Sequence, residues 1–202
     1  PSGGLPAGGE SYIGRIVQYV DKALREAKLH TSWLNPYEEY DGGVANFIRG
    51  ILADPAAPFV QDLDRFVGTI ADAGFTNSLA QLLVKVCAPG VPDFYQGTEL
   101  WDFNLVDPDN RRPVDFAHRR KMLARLRKDV GRNARSLLSL ARQLAQNPRD
   151  PRLKLFVTWR VLQFRRQHAD LFHRGDYIPL EVEGAKANHL CAFARQWSTS
   201  SL

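Results

Sequence analysis

The residues best able to do chemistry crowd into Pro89 to Phe116, PGVPDFYQGTELWDFNLVDPDNRRPVDF. Carboxylates stand at Glu99, Asp102, Asp107, Asp109 and Asp115, guanidiniums at Arg111 and Arg112, and rings at Trp101, Phe103 and Phe116. Paired carboxylates can share acid–base work, and an arginine's planar fork can hold a carboxylate or hydroxyls through two parallel hydrogen bonds. Type alone does not assign such roles. Asp107 and Asp109 flank Pro108 in a run of turn-formers, Asp107-Pro108-Asp109-Asn110, where a short acidic side chain serves the backbone.

The flanking sequence says how these groups are positioned. Pro89-Gly90 ends whatever precedes it. Val91 to Tyr95 is short and apolar-rich and carries Pro92, which predicts a brief strand. Gln96-Gly97-Thr98-Glu99 is its polar exit. A strand that ends in polar residues, then a charged loop, then a helix, is how the upper face of an α/β barrel is built.

Helices dominate the rest. Tyr12, Ile13, Ile16, Val17, Val20, Leu24 and Ala27 recur at three- and four-residue steps and predict a helix starting near Ser11. A second covers Val44 to Leu52, with Asp41 as its cap. A third opens at Pro58 and ends at Gly74; a fourth runs from Asn77 to Cys87. After the central stretch, Asp115 caps a helix broken by Gly131, and Leu137 to Leu144 forms another. Asp150-Pro151 opens a long helix expected to reach Gly175. Tyr177–Val182 and His189–Ala194 read as a β-hairpin around Gly184. Pro1 to Gly9 reads as a flexible segment. The expected division is 1–9 flexible, 10–148 helical region with one strand, 149–175 connecting helix, and 176–202 the start of a β domain. One buried strand needs partners that these residues do not supply, so the chain reads as a piece of something longer.

Composition narrows the function classes. Of 202 residues, 44% are hydrophobic and 24% charged, enough for a real core and ordinary for a globular chain. No apolar run approaches the ~18 residues of a membrane span. Cys87 and Cys191 make neither a disulfide framework nor a metal cluster, and the histidines lack ligand spacing. No metal or cofactor is expected. The net charge of +5 sits largely in Arg119–Arg135 and Arg160–Arg174. Both runs lie on helical patterns whose apolar residues face inward, so they read as solvated helix exteriors rather than a nucleic-acid surface.

The joined motif VPDFYQGTELW…DPDNRRPVDF resembles the last barrel strand and following loop of the α-amylase family, in the form seen in its maltooligosyl trehalose synthase branch. KALREAKLHTSW at 22–33, DPRLKLFVTWRVLQFRRQHADLF at 150–172, GDYIPLEVEG and HLCAFAR are similar to the same branch. The resemblance covers about Glu10 to Arg195. It implies a fold class that is mainly α with a small β component: the C-terminal portion of a (β/α)8 TIM barrel, leading into a C-terminal β-sheet domain. It implies an enzyme of intramolecular transfer, located in the cytoplasm. That enzyme converts the reducing-end α-1,4 bond of a maltooligosaccharide into an α,α-1,1 bond, and its product passes to a maltooligosyl trehalose trehalohydrolase. In the family the catalytic carboxylates belong to earlier strands, before residue 1, so no catalytic residue is expected here. A retaining pair must also face each other across ~5 Å, which spacing cannot establish for Glu99, Asp102, Asp107 and Asp109.

What the resemblance leaves to this chain is a supporting share of a sugar site, with Asp107 among the candidate substrate-binding residues. Arg111 matches the family's arginine after D-P-x-N; the alternative for it is a plain structural ion pair, and Arg112 departs from the family's commoner small residue. Tyr95, Gln96 and Glu99 stand between site wall and scaffold. Trp33 and Trp101 could stack on pyranose faces or pack in a core. Two other readings stay open: another α-amylase-family hydrolase or transferase, and a non-catalytic helical interaction module.

Overall fold

The structure, a computed structural model, describes residues 12–131 and 133–197. The segment expected to be flexible and the cap expected at Ser11 lie outside these residues. The described residues are mainly helical with one small sheet. The helices are α1 Tyr12–Ala27, α2 Glu38–Leu52, α3 Pro58–Cys87, α4 Phe116–Val130, α5 Ala134–Ala145, α6 Pro151–Gln167 and α7 Ala169–His173. Strands β1 Asp176–Pro179 and β2 Phe193–Gln196 pair antiparallel, with Tyr177 opposite Arg195 and Ile178 opposite Ala194.

Local chemistry explains most of the boundaries. Asp115 caps α4 by accepting from the His118 N–H at 2.8 Å. Asn133 caps α5 by accepting from Ser136 N–H at 2.8 Å. Asp150 caps α6 by accepting from Arg152 N–H at 2.9 Å, with Pro151 in the first turn. Gly131, at φ 60°, lets the chain leave α4 in the left-handed region. Gly175 is dictated by space: a Cβ there would lie 2.3 Å from the Leu171 carbonyl oxygen and 2.8 Å from that of Gln196.

Five expectations are corrected. Val91–Tyr95 forms no ladder among the described residues and is not the buried strand expected: Val91 is 94% exposed. Gly74 does not end a helix, because one glycine costs only about 1 kcal/mol against alanine, and α3 runs straight through it. Asp41 lies inside the first turn of α2 with Glu38 and Glu39, where acidic groups favour the helix N-terminus, and Tyr37 holds the cap position. The long helix after Asp150 breaks at His168 (φ −114°, ψ 45°) and resumes as α7; apolar spacing continues through the break and hides it. The second hairpin strand starts later than expected, since Ala187–His189 tightens into a 3₁₀ turn.

The chain forms two compact units. The first comprises residues through Ala71 together with Phe103–Val114; α1 packs on α2 there. The second comprises Asp72–Asp102 and the residues from Asp115 on. Its core is Leu100, Leu126, Val130, Leu140, Leu144, Leu153, Leu155 and Phe156, gathered from α4, α5, α6 and the turn before Trp101. Burying each such side chain contributes about 1.5–3 kcal/mol.

Candidate functional site

In the first unit, the loop carrying Asp107 and Arg111 is fastened at Asp109. This carboxylate is 6% exposed. Arg15, from α1, grips it with both fork arms: Nε donates to Oδ1 at 2.8 Å and Nη2 to Oδ2 at 2.7 Å. Leu105 N–H adds a bond to Oδ2 at 2.7 Å, and Arg112 Nε lies 3.1 Å from Oδ1. Arg15 Nη2 also donates to the Phe103 carbonyl at 2.9 Å, and Arg112 Nη2 donates to Asn104 Oδ1. The Arg15 hydrogen bond leads the effects that hold the Asp109 carboxyl below the usual range; burial opposes it.

That knot separates the two arginines. Arg112 Nε donates back to the Asp109 carbonyl at 3.1 Å, so its fork is turned into the loop. Arg111 ends a 3₁₀ turn, Asp109–Arg111, and its side chain is 69% exposed; Nη2 donates to Asp107 Oδ2. That bond is the main cause of the lowered Asp107 pKa. Asp107 and Arg111 are thus brought together as an ion pair on the surface of the first unit.

Trp33 also belongs to the first unit. It is 57% exposed and lines a recess of about 530 Å³ formed by residues 28–35. The Arg25 guanidinium lies 5.0 Å from its ring centre. The loop is held by Thr31, whose hydroxyl donates to Asp41 Oδ2 at 3.1 Å, while Tyr37 N–H donates to that hydroxyl at 3.0 Å.

Tyr95, Gln96, Glu99 and Trp101 belong to the second unit. Residues 95–100 form consecutive turns: Thr98 N–H bonds the Tyr95 carbonyl at 3.2 Å, and Gly97 takes φ 93°. Tyr95 is 48% exposed and Gln96 is exposed. Glu99 is engaged by Arg119, whose Nε lies 3.1 Å from Oε2 and whose Nη2 donates to the Gly97 carbonyl at 3.0 Å. Trp101 packs against the core: its indole N–H donates to the Asp150 carbonyl at 3.1 Å, and Phe75 meets its ring edge-on at 4.8 Å.

Sequence reasoning missed Arg15, Asn104 and Arg119 as partners of these residues. Arg15 stands 94 residues from Asp109, and nothing in local spacing joins them. Among the described residues no group of three or more His, Cys, Asp or Glu could hold a metal ion, and no helix is long and apolar enough to cross a membrane.

No family model matches the chain. Curated proteins do: over 182 residues, 90% of its length, it is 37% identical to proteins of Mycobacterium tuberculosis strains CDC 1551 / Oshkosh and H37Rv, each named "Putative maltooligosyl trehalose synthase". It spans about 20% of the length of those relatives. Solved structures agree. A maltooligosyl trehalose synthase crystal structure superposes with a TM-score of 0.77 at 33% identity, over 93% of this chain and 24% of that one. The maltooligosyltrehalose synthase from Arthrobacter ramosus gives 0.70 at 36% identity, over 92% and 22%. Sequence and fold therefore agree on one group of relatives. Its relatives are the maltooligosyl trehalose synthases, and it corresponds to one stretch of them.

Proposed function

We propose that the chain is part of a maltooligosyl trehalose synthase, an intramolecular transglycosylase (an isomerase acting in trehalose biosynthesis) that turns the reducing-end α-1,4 bond of a maltooligosaccharide into an α,α-1,1 bond. The observation that carries this reading is the match to such enzymes over nine-tenths of the chain. In this reading Val91–Tyr95 is the last strand of a (β/α)8 barrel and gains its ladder from strands that this chain does not contain. The work is cytoplasmic and needs no cofactor. The product leaves for a hydrolase that releases trehalose.

The reaction divides into attack on the anomeric carbon by one carboxylate, protonation of the departing sugar by a second, and return of that sugar through its own anomeric hydroxyl. This chain's share is to hold the glucan. Arg111 and Asp107 face solvent as a pre-formed pair and can exchange hydrogen bonds with ring hydroxyls. Trp33 offers an exposed ring to a pyranose face, and Tyr95 and Gln96 supply polar groups at the turn. Glu99 orders that turn through Arg119, and Trp101 supports it from the core.

Two outcomes test this. The 202-residue chain incubated with maltopentaose is expected to leave reducing ends unchanged; chain-dependent loss of reducing ends would place the catalytic carboxylates inside it and overturn the assignment. In a longer protein containing this chain, Arg111→Lys keeps the charge but loses the fork, and should cost roughly ten- to a hundredfold in kcat/KM. Arg112→Lys should lower the melting temperature while leaving the rate per folded molecule near the parent's, since its bonds stay within the loop. Normal turnover by Arg111→Lys with impaired Arg112→Lys would exchange their roles.

A further inference from the structure

Within the first unit, one side chain of α1 holds the 103–112 loop at two points. Arg15 donates to the Phe103 carbonyl at 2.9 Å and to both oxygens of Asp109 at 2.8 and 2.7 Å. Both partners of that ion pair are largely shielded from water. Asp109 opens the 3₁₀ turn that ends in Arg111. Its N–H bonds the Val106 carbonyl at 3.1 Å, and Arg111 N–H bonds that of Pro108 at 3.0 Å. The turn is anchored through its first residue, while the fork of its last residue lies outside, against Asp107.

We propose that Arg15 is a positioning residue for Arg111: by occupying both oxygens of Asp109, it keeps Arg111 out of the loop and in its bond to Asp107. The consequence for turnover rests on the reading of Arg111 as a glucan contact; the geometry does not. Two carboxylates of unequal burial stand within reach of the same turn. Without Arg15, the shielded Asp109 becomes a poorly compensated charge, costly enough to recruit another cation. Arg112 is already at Asp109, with Nε 3.1 Å from Oδ1, and its Nη2 is engaged by Asn104. Arg111 is on the same 3₁₀ turn, and its bond to Asp107 lies in water, where an ion pair gives way cheaply. Asp109 would therefore win Arg111 from Asp107 if Arg15 did not hold it. A lysine at position 15 keeps the charge but lacks the planar fork that meets both oxygens at once.

The test is an NMR titration of the Asp107 carboxyl in the 202-residue chain. In the parent it sits below the usual carboxylate range, chiefly through the Arg111 hydrogen bond, with Lys22 of α1 and Asn110 adding to the effect and desolvation opposing it. In Arg15→Met it should rise toward the ordinary value as Arg111 leaves. In Arg15→Lys, which carries the measurement where the methionine variant does not fold, it should rise less. Removing the competing carboxylate as well, by adding Asp109→Asn to either variant, should bring it back down; a mere staple between α1 and the loop predicts no return. In a longer protein containing this chain, Arg15→Lys should cost severalfold in kcat/KM per folded molecule, and nothing further when Arg111→Lys is already present, since both act through one fork. An unchanged Asp107 titration in the Arg15 variants, no return on adding Asp109→Asn, or additive losses in kcat/KM would overturn the proposal. Normal turnover by Arg111→Lys, with the Asp107 rise intact, would sink the glucan role of Arg111 and leave the hold of Arg15 on it standing.

Discussion

Asp109→Ala is expected to destabilise the first unit by about 3–5 kcal/mol, because it leaves the shielded Arg15 guanidinium without its counter-charge and Leu105 N–H without its acceptor. That is a large share of the roughly 5–15 kcal/mol by which a domain is typically stable. Urea unfolding read by hydrogen exchange should show early opening in α1 and residues 103–112, with the core around Leu126 little changed. Asp109→Asn keeps an oxygen acceptor and should fall between the two. A stability for Asp109→Ala within ~0.5 kcal/mol of the parent would show that the knot contributes nothing net. The same group fixes the sign of the acid response. Its folded pKa is depressed, so its contribution is complete above the unfolded carboxylate value near ~3.9 and is lost as pH falls through the folded value. The alanine variant should therefore show a flatter stability curve than the parent below about pH 4.

The second large effect is expected at Arg165. This side chain, 7% exposed, reaches from α6 to the end of α3, where the last carbonyls of a helix have no partners of their own. Nη1 donates to the Val86 carbonyl at 2.6 Å and to that of Ala88 at 3.4 Å, and Nη2 donates to the Gly90 carbonyl. The Phe172 ring closes over the guanidinium at 4.9 Å. Arg165→Met keeps the stem but strands the buried Val86 carbonyl at about 1–3 kcal/mol and gives up the part-exposed bonds to Ala88 and Gly90 at about 0.5–1 kcal/mol each, for a total of roughly 2–5 kcal/mol. Arg165→Lys, with a point charge in place of a fork, should recover part of that. A urea midpoint for the methionine variant equal to the parent's would mean that water replaces the guanidinium at no cost.

Much of the helical layout was legible because its signals are local. Asp115 and Asp150 sit where their carboxylate oxygens meet the next free N–H, and the apolar spacing of α4 and α5 matches their packing. The errors have two causes, a local signal too weak to decide and a local signal outcompeted by a distant partner. Gly74 looked like a stop, yet one glycine is a small debit inside a 30-residue helix. Asp41 looked like a cap, yet its carboxylate serves Thr31 and Arg25. The site was legible as a motif, and less so as an arrangement. That Asp107 pairs with Arg111 could be anticipated from their i, i+4 spacing. That Arg112 turns inward depends on Asp109, which depends on Arg15, and no window of sequence contains all three.

The first unit is also interrupted along the chain: its 103–114 loop arrives only after the second unit's first segment has been made. At a synthesis rate of about 5–20 residues per second, Arg15 waits roughly 5–20 s on the ribosome before Asp109 emerges. During that wait α1 and α2 hold a cation meant for a partner not yet translated, so slow codons or a stalled ribosome between the two would prolong exposure of an unfinished unit to aggregation and proteolysis.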